Sequence, residues 1–154
     1  MEEDTRGSWT RSLIGPDRLD QWVCRTHGEM SYRLTQVMSG HGCFNEYLYG
    51  IRKAAAPTCD HCSDRPGEAD NALHTLFRCE AWTQEREALQ FRLGSTFGTG
   101  SMVDLMLGSR EAWSIIQAFA ELVMSRKESA ERLRQRRPRG PIQQDLRRWF
   151  RSAP

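Results

Sequence analysis

The sequence predicts a mainly α fold: a small helical domain drawn together by a cysteine–histidine cluster, a long C-terminal helix and a basic tail. Three observations carry this. Apolar residues recur at three- and four-residue spacing in several short segments and one long one. Cys59, Cys62, His74 and Cys79 form the pattern C-x2-C-x11-H-x4-C. The charge is unevenly spread, with ten Arg/Lys against three Asp/Glu from Arg126 onward, whereas residues 1–125 are net acidic.

The Cys/His pattern organises the chain. Two cysteines separated by two residues form a turn that aims both thiolates at one point, and His74 and Cys79 supply the other two corners. Zinc favours a tetrahedral sulfur–nitrogen set, and Cys3His is closed, with no position for a catalytic water. One structural Zn2+ is therefore expected on Cys59, Cys62, His74 and Cys79. The intervening loop, Ser63 to Leu73, is polar and carries Pro66-Gly67, as suits a solvated excursion. His61, between two ligands on a tight turn, is expected to point outward. The plainer alternative is that the four residues are reduced core thiols and a packed histidine.

Composition bounds the rest. The chain has 154 residues, 38% hydrophobic and 27% charged, which fits one modest domain that a metal would help to hold. No apolar run approaches the ~20 residues needed to span a bilayer, so no membrane partner is expected. Met1 to Arg6 is acidic and polar, unlike a signal peptide. Cys24 and Cys43 fall outside the ligand set, and an odd count of five cysteines fits a reducing, intracellular compartment better than a disulfide framework. The basic C-terminus points towards nucleic acid or another acidic partner.

Taken in order, residues 1–15 read as an extended N-terminal segment, with Trp9, Leu13 and Ile14 packing on the body. Gly15-Pro16-Asp17 breaks the chain and starts a helix over about 17–26, with Leu19, Trp22 and Val23 at helical spacing. A second helix starts near Ser31, with Tyr32, Leu34, Val37 and Met38 on its apolar face, and stops at Ser39-Gly40-His41-Gly42. Cys43 to Tyr49 reads as a third. His41 is a candidate accessory residue, either a nucleic-acid contact or a neighbour of the metal; the plainer reading is a histidine that caps or packs the turn.

Asp70-Asn71 is placed to cap a short helix carrying His74 and Phe77. Trp82 is expected to shield the metal from water, with stacking on a base as the functional alternative. Residues 82–93 read as a helix with Leu89 and Leu93 inward and Glu85, Arg86, Glu87 and Arg92 outward. Ser101 opens a short helix ending at Gly108. Ser109 caps the longest, from Arg110 to Arg136, with Trp113, Ile116, Phe119, Ala120, Val123 and Met124 as its stripe. After Pro138, the residues Ile142, Leu146, Trp149 and Phe150 make a basic amphipathic segment with Arg147, Arg148 and Arg151, or else an exposed tail. The domain division expected is 1–15, then 16–125 with the metal loop at 59–79, then a basic helical extension and tail over 126–154.

Catalytic patterns are missing. There is no Gly-rich phosphate loop, no Gly-x-Ser-x-Gly elbow and no His-Glu-x-x-His helix. A zinc deaminase needs a Glu two residues after a ligand His, but Thr75 and Leu76 follow His74.

These residues in this order resemble a known family. Leu34-Thr35-Gln36, Ser39-Gly40-His41-Gly42-Cys43-Phe44 and Tyr47-Leu48, then Cys59, Cys62, Asp70, His74-Thr75-Leu76-Phe77, Cys79, Trp82 and Arg86, are similar to the CCHC region of the pol polyproteins of insect non-LTR retrotransposons. These are elements of the ribosomal-DNA-inserting type and their relatives. Trp9-Thr10 and Leu13-Ile14 resemble the segment just upstream, so the likeness covers roughly residues 8–135. Glu80 departs from the proline frequent after the last Cys.

The resemblance implies a Cys/His region that follows an endonuclease and a reverse transcriptase and binds nucleic acid during target-primed reverse transcription. Its partners would be target DNA or element RNA and the polyprotein's enzymatic regions, in the nucleus. No polymerase Tyr-x-Asp-Asp is present in this chain, so the RNA-directed DNA polymerase activity would belong to the parent. Three thiolates on Zn2+ leave about one negative charge, so phosphate must be met by arginines: Arg132, Arg134, Arg136, Arg137, Arg139, Arg147 and Arg148. The alternative is a protein-docking module for the polymerase core, without nucleic-acid affinity of its own. The spacing differs from the retroviral knuckle C-x2-C-x4-H-x4-C, so its mode of base stacking does not carry over.

Overall fold

Ser31 and Ser109 set the start of the two helices that frame the core. Each side-chain oxygen accepts from the backbone N–H three residues on, Leu34 and Ala112 respectively, which satisfies one of the free donors of a helix start. The computed structural model describes residues 6–62 and 67–137. Among these residues seven α-helices follow in order: α1 Ser8–Ile14, α2 Leu19–Val23, α3 Tyr32–Ser39, α4 Asn45–Gly50, α5 Thr83–Leu93, α6 Met102–Gly108 and α7 Arg110–Arg136. Short 3-10 turns at Pro16–Arg18 and Glu80–Trp82 lead into α2 and α5. Among the described residues no strand forms, only an isolated antiparallel bridge between Thr58 and Ala69. The fold is mainly helical, as expected.

α7 is the spine, packed on by α3, α5 and α6. Its stripe of Trp113, Ile116, Phe119, Ala120, Val123 and Met124 is fully buried, against Leu34, Val37, Leu89, Met102 and Met106. Each large side chain so buried contributes about 1.5–3 kcal/mol of hydrophobic stabilisation. At the helix start, Trp22 tilts against Trp113 at 5.3 Å, and the Arg25 guanidinium lies over both rings. Gly28, at φ 90°, passes so close that a Cβ there would sit 2.3 Å from the Trp113 ring.

Four expectations need correction. Residues 8–14 are helical, not extended: Trp9 donates from Nε1 to Val37 O, and Leu13 and Ile14 bury against the body, so tertiary contacts wind a segment that has no side-chain cap. α2 stops at Val23, short of residue 26, because Arg25 folds back to donate to Trp22 O and Gly28 O; Leu19 and Val23 stay exposed. Tyr32 is 77% exposed and takes no part in the apolar face of α3. Arg86 points inward, as its hydrogen bonds below explain.

α7 runs unbroken through residue 126, with Lys127 buried, so the division expected at 125/126 falls inside a helix. Met1 to Thr5, Ser63 to Pro66 and the tail from Pro138, with Arg139, Arg147, Arg148 and the amphipathic segment, lie outside the described residues. Among the described residues no helix is long and apolar enough to cross a membrane.

Candidate metal centre

Two chain segments must meet to bring the four Cys/His side chains together, and backbone hydrogen bonds make them do so. Cys59 N–H donates to Glu68 O and Asp70 N–H to Pro57 O, both at 2.9 Å, closing the loop at its neck. Asn45 clamps the same neck from α4, with Nδ2 2.8 Å from Thr58 O and from Asp60 Oδ2. In the first ligand turn, the His61 N–H points at Cys59 Sγ, 3.3 Å away.

The second pair is aimed by an unusual winding. His74 and Cys79 are five residues apart, which on a regular α-helix would place them about 140° apart. Residues His74–Arg78 instead form a π-type turn, closed by Cys79 N–H donating to His74 O at 2.7 Å. That i→i+5 bond takes in one extra residue and brings both side chains to one side. Asn71 Oδ1 caps the start by accepting from His74 N–H. Arg86 caps the end, donating to Leu76 O at 2.8 Å and Cys79 O at 2.9 Å.

The four donor atoms all lie within 4.8 Å of one another. Cys62 Sγ is 3.2 Å from His74 Nε2 and 3.3 Å from Cys79 Sγ, and Cys59 Sγ is 3.9 Å from Cys79 Sγ. Zinc–sulfur bonds of ~2.3 Å in a tetrahedron put sulfurs about 3.8 Å apart, so the spacing suits such an ion. His74 and Cys79 are buried, Cys59 and Cys62 partly so. His74 presents Nε2 to the thiols, while Nδ1 lies 3.1 Å from a Glu68 carboxylate oxygen, out of line for a good hydrogen bond and otherwise unpartnered. A carboxylate behind the second ring nitrogen is the usual way to orient a metal-bound histidine.

The electrostatics point the same way. Hydrogen bonding from Cys79 pulls the Cys59 thiol down to about 4. The same bond, with burial, pushes Cys79 far up, and burial raises Cys62. Thiols packed this closely compete for their protons, and a divalent ion would remove that conflict, because each ligand can then be deprotonated. This is a closed Cys3His group that could hold a metal ion, compatible with a structural site.

The surroundings lock the centre to the spine. Trp82 is buried, with no acceptor for its indole N–H among the described residues. His61 is not among the clustered donors, and its ring lies 5.3 Å from that of Trp82. Asp70 is the hub. It accepts from Asn45 N–H at 2.9 Å, Thr75 Oγ1 at 3.2 Å and Lys127 Nζ at 2.5 Å, and both members of the ion pair are buried. One residue further along α7, Glu128 accepts from Gln36 of α3, which also accepts from Cys43 N–H. Gly42 lets this happen, since a Cβ there would lie 2.2 Å from Gln36 Oε1.

The remaining site candidates fall elsewhere. His41 is exposed and stacks on Tyr47 at 4.7 Å, outside the cluster. Arg134 is held by Glu131 and, at 2.7 Å, by Asp60. Arg132 is mostly exposed, 3.6 Å from Glu128, and Arg136 and Arg137 are exposed. Cys24 and Cys43 are apart from the cluster, and burial raises Cys43 to about 11, which keeps it a thiol.

Over 134 residues, 84% of its length, the chain is 27% identical to the retrovirus-related Pol polyprotein from type-1 retrotransposable element R1 4 of Nasonia vitripennis. The chain is homologous to that R1 Pol polyprotein. The match takes up 32% of the polyprotein, so the chain spans about a third of the relative's length. No family model matches, and no solved structure matches. The likeness read from the Gln36–Phe44 and Cys59–Arg86 motifs is thus one of homology to an R1 Pol region. Asp70 and Arg86 belong to those motifs, and the structure supplies their physical work. Lys127, Asn45 and Glu68 had no signal beyond a lysine on the apolar stripe, three residues past Met124.

Proposed function

We propose that this R1 Pol-like region is a zinc-organised nucleic-acid-binding module that assists target-primed reverse transcription beside the polymerase and endonuclease regions of a larger polyprotein. Zn2+ would sit on Cys59, Cys62, His74 and Cys79. The observation that carries the reading is the physical link from this cluster, through Asp70–Lys127 and Asp60–Arg134, to a helix whose last turn is arginine-rich. Arg132, Arg136 and Arg137 are available to phosphate, followed by Arg139, Arg147 and Arg148. Arg134 serves chiefly to seat the helix. A nuclear, non-membrane setting follows from this role, with 126–154 acting as the basic extension of a helical zinc domain.

The test is zinc content, together with duplex-DNA and RNA titrations at two salt concentrations before and after chelation. One zinc per chain and salt-sensitive binding that chelation abolishes is the expected result; each phosphate neutralised on duplex DNA contributes a slope of about 0.9. Zinc without binding would favour a docking module. That second reading has one specific support: an apolar groove of about 320 Å3 between α5 and α7 that includes the exposed Leu122.

A further inference from the structure

A groove of about 560 Å3 lies between α3, α4 and the C-terminal half of α7, and none of the four Cys/His residues lines it. Its aromatic groups are oriented outward. Tyr32 is 77% exposed on a helix that buries Leu34, Val37 and Met38. His41 lies nearly flat on Tyr47, 16° between planes, so one face of the imidazole is covered and the other is the main surface it presents to solvent. Two cations stand at the rim, Lys53 and the 64%-exposed Arg132. The two carboxylates in the lining are already engaged: Glu128 by Arg33, Gln36 and, at 3.6 Å, Arg132, and Glu131 by Arg134 and Gln135. Lys53 is exposed, and Arg132 keeps most of its surface open to a ligand despite its long contact with Glu128.

Exposed rings beside exposed cations suit a base and its phosphate. The volume falls in the range of pockets that take small molecules, ~300–1,000 Å3, and excludes a duplex, whose bases are stacked on each other. We propose that this groove binds single-stranded nucleic acid, with a base on the outer face of His41 or on Tyr32 and the adjoining phosphates on Lys53 and Arg132. The inference rests on the nucleic-acid reading above and narrows it to an unpaired strand at a defined place.

The test uses the full zinc-loaded chain and a labelled RNA of about ten nucleotides, within the site size of single-strand binders, alongside the same sequence as a duplex. His41→Ala and Tyr32→Ala should each weaken single-strand binding roughly tenfold, the usual scale of one lost stack, and leave duplex binding within about twofold. His41→Phe should restore affinity, and Lys53→Gln should flatten the salt dependence by about 0.7. Unchanged melting temperatures establish that the variants remain folded. If the aromatic variants bind both probes like the parent while Arg136→Ala and Arg137→Ala weaken them, the groove assignment is overturned and the nucleic-acid reading stands. If the parent binds neither probe, both are overturned.

Discussion

From Trp113 to Met124, α7 is held by apolar burial; from Lys127 to Arg134, it is held by charges that lead to the metal loop. The first half has seven buried residues with no charge among them. In the second, Lys127 is the buried side chain and the next large apolar residue, Leu133, is 63% exposed. Burial is non-directional and tolerates volume-conserving exchange. A buried ion pair fixes position but fails badly when one partner is lost. The first half therefore gives the spine its stability, and the second gives it a defined relation to the Cys/His cluster.

The largest test of this contrast is removal of the zinc proposed for the Cys/His cluster. Structural zinc contributes ~10–16 kcal/mol in small zinc-finger peptides. Chelation, or Cys79→Ser, should speed amide exchange in residues 57–79 and 127–134 well before 113–124. Uniform exchange along α7 would mean the halves are one cooperative unit. Single substitutions come next. Trp113→Ala should cost about 3–5 kcal/mol in urea unfolding. Lys127→Ala should cost about as much, because it leaves Asp70 buried without its cation, while Lys127→Met combined with Asp70→Asn should recover most of the loss.

Smaller effects sharpen the boundary. Arg134→Ala breaks partly exposed pairs with Asp60 and Glu131 and should cost about 0–1 kcal/mol, detectable chiefly as faster exchange in the last two turns. On the other flank, hydrogen bonds from Ser31 and then Arg33 hold the Glu121 carboxyl below its ordinary value. Its stabilising contribution is complete above the ordinary carboxylate range and fades as pH falls through the lowered value. An NMR titration of Glu121 with and without Arg33→Ala should show the carboxyl move back up.

Much of this was legible. Ser31 and Ser109 announced two helix starts, and the Trp113–Met124 stripe announced the spine. The four ligand-type residues were visible as a spacing, and the structure brings their donor atoms together. What sequence reasoning missed was set by partners distant in the chain. Nothing local marks Arg86 as inward, since its acceptors are carbonyls freed by the turn at His74–Arg78. Lys127 reads as the start of a basic face until Asp70 is placed beside it. Tyr32 looks like a core residue by spacing, yet the buried apolar face of α3 is made by Leu34, Val37 and Met38. The helicity of residues 8–14 depends on Val37 O and Met38 O, which accept from Trp9 and Thr10.

The π-type turn implies a rule about insertions and deletions. Losing one residue between His74 and Cys79 would not by itself destroy the site, because an ordinary α-turn places residues four apart on nearly the same face. The spacings H-x3-C in α winding and H-x4-C in π winding are therefore interchangeable presentations of one ligand pair. Length and winding would have to change together, and Arg86, which binds the carbonyls the wider turn exposes, would be the residue to change with them.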